Sequence, residues 1–335
     1  MWSQLIACLV AFTTTYLTTP YAIRYFKKTG VVTRDVHKPR KPFVANSAGV
    51  PLVAGITAGL FTYIFIQVFL YQNYKLITEV FAGLTSILLI AFSGFLDDIN
   101  ASQVRVGKYI EGKAGLKRWQ KPLLTLPAAV PLMVIMAGNH TMALPLIGTV
   151  DFGILYPLVI IPIGVVGAAN MVNMFDGFNG LDTGMGLVYT LSLGLFAYFH
   201  GRYVAAIIFL STFAALLGLY RYNFYPAKIL SGDSCTYALG AVIAVGAILG
   251  NMEKAALTAS VPFLVQGALK FYSYFKLGRF ASDLGVLQKD GTLKPKYKRI
   301  YSWTHLFMRI GKTERKVVLL GVLTEAIFAV LAWFV

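Results

Sequence analysis

The stretch ITEVFAGLTSILLIAFSGFLDD (77–98) joins a long apolar run to two adjacent carboxylates. About 20 mainly apolar residues cross the roughly 30 Å of hydrocarbon in a bilayer, so residues 77–96 predict a membrane-spanning helix. Asp97 and Asp98 follow at its C-terminal end, where the helix macrodipole disfavours negative charge. Capping therefore does not explain the pair, whereas a nearby cation would. A solvated acidic turn at the membrane surface is the simpler alternative.

The composition extends this reading to the whole chain. Of 335 residues, 57% are hydrophobic and only 13% are charged, against about 25% charged in soluble domains. Mean hydropathy is +0.67. These values exclude a disordered protein and an ordinary cytosolic enzyme, and two cysteines do not make a disulfide scaffold. We expect an all-α, polytopic integral membrane protein with a single domain over 1–335.

Hydropathy predicts about ten membrane-spanning helices. The weakest two are short and open to tilting or breaking, namely 122–137 and 236–250. The ten predicted spans are 2–19, 48–71, 77–96, 122–137, 154–172, 184–199, 203–219, 236–250, 255–274 and 317–334.

Basic residues separate cleanly between the two sets of connecting segments. One set holds 26 of the 30 Lys and Arg. The positive-inside rule places that set in the cytoplasm and both termini outside. We expect the protein in the cell membrane, or in the endoplasmic reticulum membrane of a eukaryote. The five segments predicted to be cytoplasmic are 20–47, 97–121, 173–183, 220–235 and 275–316.

Most of the acidic residues share that face. Ten of 14 fall there, several at the ends of spans. They are Asp35, Asp97, Asp98, Glu111, Asp176, Asp182, Asp233, Asp283, Asp290 and Glu314.

Polar side chains cluster again in NMVNMFDGFNGLDTG (170–184). Asn170, Asn173 and Asp176 recur every three residues and share one side of a helix. Gly177 and Gly180 then predict a break in the helix. Polar groups at this depth usually face a site or a partner helix, so interhelical hydrogen bonding is the alternative to a binding site.

A third cluster, YRYNFYPAKILSGDSCTYALG (220–240), adds Asp233 just before a span. Taken alone, Asp233 is a helix cap. Taken together, the clusters bring hard oxygen ligands from separate spans to one membrane face, which suits Mg²⁺. The four His are scattered, which gives no zinc pattern, and GxxxxGK[ST] is absent.

Surrounding Lys and Arg, including Lys121, indicate phosphate binding or attraction to anionic lipid. We assign the formal charge of +16 to anionic lipid and diphosphate, and expect no nucleic-acid partner.

Three motifs in order resemble the polyprenyl-phosphate N-acetylhexosamine-1-phosphate transferases: GFLDD (94–98), NMVNMFDGFNGL (170–181) and NFYPAKILSGD (223–233). The resemblance covers nearly the whole chain. Further segments are similar to the branch that makes dolichyl-diphosphate GlcNAc in archaea and eukaryotes. They are KPRKPFVANSAGVPLVAG (38–55), WQKPLLTLPAAVPL (119–132) and GKTERKVVLL (311–320).

The resemblance implies a reaction of UDP-GlcNAc with a polyprenyl phosphate, dolichyl or undecaprenyl, to give polyprenyl-diphosphate-GlcNAc and UMP. It implies Mg²⁺, with Mn²⁺ as an alternative ion, a membrane-lipid environment and a homodimer. Its site residues fall into three groups. The catalytic ones are Asp97, Asp98, Lys121 and Asp176; the metal ligands are Asn173 and Asp233; the substrate-binding ones are Asn170, Gly177, Asn179, Asn223 and Arg279. Asn179 is expected nearest the uridine.

The sequence departs from the family at the motifs that would identify the sugar substrate. The consecutive histidines of the muramoyl-pentapeptide branch are absent, and only Arg279 matches the HRxPR-like sugar loop of the eukaryotic branch. Leu230 stands where the eukaryotic branch has an aromatic residue near the uracil. At position 176 the aspartate resembles the residue of bacterial members of the family more than that of eukaryotic ones. Two other classes of protein are alternatives. A transporter of an anionic, nucleotide-linked solute would place polar groups through the bilayer midplane, and a CDP-alcohol phosphotransferase would carry a DG…AR…G…D…D signature that is missing here.

Overall fold

The computed structural model describes residues 2–101, 117, 119–144 and 148–335. Most of the predicted segment 97–121, including Glu111, lies outside the described residues. The helices are α1 (Trp2–Thr29), α2 (Gly49–Phe65), α3 (Ile77–Ala101), α4 (Gln120–Thr125), α5 (Val130–Val134), α6 (Ile161–Asn173), α7 (Leu181–Phe199), α8 (Tyr203–Asn223), α9 (Gly232–Gly250), α10 (Glu253–Ala259), α11 (Val261–Leu277), α12 (Trp303–Gly311) and α13 (Glu314–Leu331). Short π-helical turns extend α2 to Leu70 and begin α6 at Tyr156.

The part of the chain that the structure describes contains seven helices long and apolar enough to span a membrane. This confirms a mostly helical, polytopic architecture, while the count of ten spans and the outside position of the termini stay predictions. The seven are Trp2–Thr29, Gly49–Leu70, Ile77–Ala101, Tyr156–Asn173, Tyr203–Asn223, Gly232–Gly250 and Glu314–Phe334.

Two of the predicted spans are broken by proline. Region 122–137 divides into α4, a 3₁₀ turn over Leu126–Ala129 and α5, since a proline cannot donate to the helical ladder. Region 255–274 divides into α10 and α11 at Ser260, with Pro262 in the first turn of α11. The expected weakness of 236–250 was wrong, because α9 is a continuous helix that begins four residues earlier.

Within the described residues, three small antiparallel sheets, which hydropathy did not predict, lie between the helices. β1 (Val32–Arg34) pairs with β2 (Phe43–Ala45), and β3 (Thr141–Leu144) pairs with β4 (Gly148–Asp151). β5 (Gly285–Leu287) pairs with β6 (Leu293–Pro295), with Gly285 opposite Pro295.

The core is built around α9, which is buried along most of its length and packs against α3 and α6. Gly94 allows α3 to approach the start of α9 closely. A Cβ at Gly94 would lie 2.4 Å from the carbonyl oxygen of Asp233, which no side chain tolerates without movement. This approach brings Asp97 and Asp98, one helical turn further along α3, beside the first turn of α9.

Backbone hydrogen bonds fix the connection that leads into α9. The Leu230 N–H donates to the carbonyl of Ala45 on β2 at 2.8 Å, and the Ala48 N–H donates to the carbonyl of Leu230 at 3.1 Å. The first and fourth predicted cytoplasmic segments are therefore held together directly before Asp233.

Candidate active site

Asp98 lies beneath the start of α9 with both carboxylate oxygens occupied. Oδ1 accepts from the Asp233 backbone N–H at 2.8 Å and from Asn46 Nδ2 at 3.2 Å. Oδ2 accepts from Ser47 Oγ at 2.7 Å and from the Ser234 backbone N–H at 3.1 Å. Two of these donors are first-turn amides of α9, which have no partner within the helix. Asp98 therefore caps α9 from a neighbouring helix and fixes the position of Asp233.

Asp97 and Asp233 converge on one cation. Lys121 Nζ lies 2.6 Å from Asp97 Oδ2 and 2.6 Å from Asp233 Oδ2. Asp97 is buried, whereas Asp233 and Lys121 stay partly accessible. Lys121 is thus a cation beside Asp97, while Asp98 is held by hydrogen bonds, and the structure brings together three residues that the sequence assigned to the site, whose catalytic and metal-binding roles stay predictions.

The ammonium of Lys121 is stabilised by its partners. Burial lowers the pKa of Lys121, but the charge of Asp233 and the hydrogen bonds to Asp233 and Asp97 together outweigh burial, and the net result is a pKa above the ordinary value. Because the pKa is raised, the charged form persists through the neutral range. Lys121 therefore presents a permanent positive charge at the accessible edge of the cluster.

Asn173, at the end of α6, is hydrogen-bonded to Thr236 near the start of α9, close to Asp233. Thr236 Oγ1 donates to Asn173 Oδ1 at 3.0 Å, and Thr236 is three residues after Asp233 on α9. The cluster thus offers carboxylates of Asp97 and Asp233 that already converge on a cation, with the amide oxygen of Asn173 nearby. Hard oxygens of this kind fit Mg²⁺, which takes few protein ligands and completes its shell with water and substrate phosphate.

Asp176 lies in the loop between α6 and α7, and glycines shape that loop. Gly177 and Gly180 have φ angles of 119° and 84°, which only glycine adopts readily. The Gly177 N–H donates to the carboxylate of Asp176. Burial and then the charge of Asp182 raise the pKa of Asp176 well above its ordinary value. Asp176 therefore holds a proton more tightly than an exposed aspartate does.

The remaining predicted residues occupy other positions. Asn170 Nδ2 donates to the carbonyl of Val166 within α6 at 2.8 Å. Asn223 is buried and holds the turn before α9 through the Ile229 carbonyl at 3.0 Å. Arg279 is exposed and lines a cavity of about 570 Å³ with Lys270, Lys296 and Tyr297.

Asn179 is buried and participates in a different network. Its side chain donates to Asp35 Oδ2 at 2.9 Å, and its backbone N–H donates to Glu314 Oε1 at 3.1 Å. Its predicted role at the uridine stays a prediction.

Sequence reasoning missed the donors that orient Asp98, namely Asn46, Ser47 and the Ser234 amide. It also assigned no role to Asp35 or Glu314, although both were noted among the acids of one face. The available signal was their placement beside Lys38 and at the start of the last span.

Comparison with known proteins identifies the family of this chain. The family model described as glycosyl transferase family 4 matches residues 80–251, which hold Asp97, Asp98, Lys121, Asn173 and Asp233. The chain belongs to this family, and the predicted resemblance to its hexosamine-1-phosphate transferases is confirmed.

Two archaeal relatives cover nearly the whole chain. A protein of Saccharolobus solfataricus, provisionally named a UDP-N-acetylglucosamine–dolichyl-phosphate N-acetylglucosaminephosphotransferase, is 34% identical over 98% of this chain and 95% of its own length. A protein of the same provisional name from Sulfolobus acidocaldarius is 34% identical over 98% of this chain and 94% of its own length. The phospho-N-acetylmuramoyl-pentapeptide-transferase of Streptococcus thermophilus is 30% identical over 82% of this chain and 81% of its own length.

Proposed function

We propose that this protein transfers N-acetylglucosamine-1-phosphate from UDP-GlcNAc to a polyprenyl phosphate, dolichyl or undecaprenyl, at the cytoplasmic face of the membrane. The products are polyprenyl-diphosphate-GlcNAc and UMP. The observation that carries the proposal is the convergence of Asp97 and Asp233 on Lys121 at the end of apolar helices. Membership of a transferase family favours this activity over the transporter alternative.

The sugar and the lipid are proposed from the archaeal relatives, which are named for UDP-GlcNAc and dolichyl phosphate. The muramoyl-pentapeptide enzyme is also similar but shares less of the chain. The absence of consecutive histidines in 275–316 argues against its substrate.

Little acid–base chemistry is required in this reaction. A phosphate monoester is largely ionised at neutral pH because its second pKa is about 6. An oxygen of the lipid phosphate attacks the sugar-bearing phosphorus, one P–O bond forms, and the bond to the bridging oxygen breaks to release UMP. Direct in-line attack therefore needs positioning and charge neutralisation rather than a phospho-aspartate intermediate.

Different residues of the chain provide the positioning and the charge neutralisation. Lys121 faces the diphosphate with its permanent charge and neutralises charge that develops on the leaving UMP. Asp98 acts through α9, because it holds the backbone of Asp233 and Ser234. Asp233 and Asn173 would hold Mg²⁺, with Asp97 beside them, and the ion when bound supplies further charge neutralisation at the phosphates.

The test is a purified-protein assay in detergent with a polyprenyl phosphate, Mg²⁺ and a panel of UDP-sugars. We expect UMP release and a labelled lipid product with UDP-GlcNAc, loss of both with a chelator, and recovery on adding Mg²⁺ or Mn²⁺. Folded protein that forms no lipid product from any UDP-N-acetylhexosamine would contradict the proposal.

A matched pair of variants tests the metal site. Asp233→Ala should abolish turnover with expression retained, because the cluster loses its accessible carboxylate. Asp290→Ala, in the fully exposed turn between β5 and β6, should retain wild-type activity. Equal activity of the two variants would remove Asp233 from the site.

A further inference from the structure

A second network of charged side chains lies outside the carboxylate cluster. Lys38 Nζ contacts Glu314 Oε2 at 2.6 Å and Asp35 Oδ2 at 3.1 Å. Both carboxylates also accept from Asn179, one from its side chain and the other from its backbone. We call Asp35, Lys38, Asn179 and Glu314 the latch. Its members join the first cytoplasmic segment, the α6–α7 loop and the start of the last span.

Neighbouring rings extend the latch to two more segments. The ring of Tyr225, from the turn before α9, lies 4.0 Å from Lys38 Nζ and 4.9 Å from the guanidinium of Arg315. The ring of His37 stacks on Phe178 with centroids 4.5 Å apart, and its Nε2 accepts from the Gly285 N–H at 3.2 Å. The latch region thus joins four of the five predicted cytoplasmic segments.

Burial makes the stability of the latch depend on each of its members. Asp35, Asn179 and Glu314 are each no more than 5% exposed. Buried carboxylates are tolerated only when they are paired and hydrogen-bonded. Without Lys38, two buried negative charges would face each other, so the network is stable only when all its members are in place.

The position of the α6–α7 loop follows from the latch. Asn179 is held at both its backbone and its side chain, and Asp176 and Gly177 directly precede it in the same loop. We propose that Glu314 and Lys38 are positioning residues, which hold Asn179 and thereby fix the α6–α7 loop against the nucleotide sugar. This rests on the proposed function. The latch lies in segments predicted to be cytoplasmic, where a water-soluble nucleotide sugar would arrive, whereas the lipid substrate would arrive through the membrane.

Kinetics give the first test. Glu314→Gln and Lys38→Met should each raise the KM for UDP-GlcNAc about tenfold, because each removes a charge-assisted hydrogen bond from the latch. The KM for polyprenyl phosphate should stay within about twofold, since the latch supports only one substrate. Lys28→Met is the matched control, because it removes the same charge from an exposed position at the end of α1, and it should match wild type.

The double variant separates a shared network from two independent effects. Glu314→Gln with Lys38→Met should be no worse than the more impaired single variant, because either change already breaks the same ion pair. Additive losses, or equal rises in both KM values, would overturn the proposal.

Hydrogen exchange tests the latch without any activity. Exchange of amides in 174–180 should increase in Glu314→Gln and stay unchanged in Lys28→Met, since the Asn179 N–H loses a charged acceptor. Unchanged exchange in Glu314→Gln overturns the latch even if the enzyme is active. If wild type releases no UMP while exchange responds as expected, the proposed function fails and the latch stands. If Glu314→Gln does not fold, Lys38→Met carries the same measurements, and Lys38→Arg should keep the ion pair and wild-type exchange.

Discussion

At Asp98 each carboxylate oxygen accepts two hydrogen bonds, whereas neighbouring Asp97 shares the ammonium of Lys121 with Asp233. The two residues are adjacent in sequence and face different neighbours because successive positions on α3 are rotated by about 100°. Asp98 supports the backbone of α9, and Asp97 contributes charge at the accessible cluster. A change at either residue should therefore reduce activity for a different reason.

Asparagine substitutions should separate these two roles. Asp98→Asn places an amide donor against N–H groups, so we expect it to destabilise the protein by about 1–3 kcal/mol. Asp97→Asn leaves Lys121 paired with Asp233, so its Tm should stay near wild type while turnover falls about 100-fold through lost electrostatic support. Thermal unfolding in detergent and UMP release measure the two effects. A lower Tm in Asp97→Asn than in Asp98→Asn would reverse the assignment.

Among the elements, the contact of α6 with α9 depends on backbone proximity. A Cβ at Gly240 would lie 2.4 Å from the Ala168 carbonyl oxygen, whereas a Cβ at Gly167 on α6 would meet no atom within 4 Å. The two helices carry Asn173 and Asp233, so their separation sets the spacing of both predicted metal ligands.

Alanine at these two glycines is a matched comparison. Gly240→Ala should force α6 and α9 apart, destabilise the protein by roughly 1–3 kcal/mol and lower turnover. Gly167→Ala should keep wild-type Tm and turnover, because its side chain enters open space. Thermal unfolding and the metal dependence of UMP release provide the measurements, and equal effects of the two variants would argue against a close α6–α9 contact.

The segment from Ala281 to α12 depends on a neutral histidine. His305 Nδ1 accepts from the Tyr301 N–H at 3.2 Å, and Nε2 contacts the Ser282 carbonyl at 2.9 Å. These bonds require a single proton, on Nε2. Burial lowers the pKa of His305 below the ordinary value of 6.5, so the unfolded chain binds a second proton, on Nδ1, more readily than the folded one.

Acid should therefore destabilise this segment. As pH falls through about 6.5, the unfolded state gains protons first and stability is lost. Tm should fall between about pH 7.5 and about pH 5.5, around the ordinary His value, and His305→Gln should show a shallower fall. His200→Gln, an exposed histidine at the end of α7, should keep the wild-type slope. Identical slopes for all three proteins would exclude His305 as the titrating group.

Sequence patterns predicted the helices better than the contacts between them. Apolar runs and charge sorting indicated the spans because both depend on local composition. The convergence of Asp97 and Asp233 on Lys121 depends on the close approach of α3 to α9 at Gly94, which no local pattern encodes. The β5–β6 hairpin was missed although its turn contains Asp290-Gly291, a typical hairpin signal.

Across the whole molecule, the five segments predicted to be cytoplasmic contact one another. Asp98 connects the first, second and fourth, and the latch with its neighbouring rings connects the first, third, fourth and fifth. Mutual contact supports their predicted location on one membrane face.

Cysteine labelling tests that location. In a background with Cys8→Ala and Cys235→Ala, Lys289→Cys should react with a membrane-impermeant maleimide only after cells are permeabilised. Lys75→Cys and Lys254→Cys, on exposed residues of the predicted outer side, should react in intact cells. Labelling of Lys289→Cys in intact cells would invert the orientation.

The latch also has a consequence for biosynthesis. Glu314 opens the last helix of the chain, so it leaves the ribosome long after Asp35, Lys38 and Asn179 have been synthesised. Until that helix is inserted, Lys38 can pair with Asp35 but lacks Glu314, and the Asn179 N–H lacks its carboxylate acceptor. A nascent or truncated chain that ends before residue 314 therefore keeps the Asn179 side-chain bond to Asp35 but loses the backbone contact of the α6–α7 loop, and synthesis of α13 coincides with assembly of the latch.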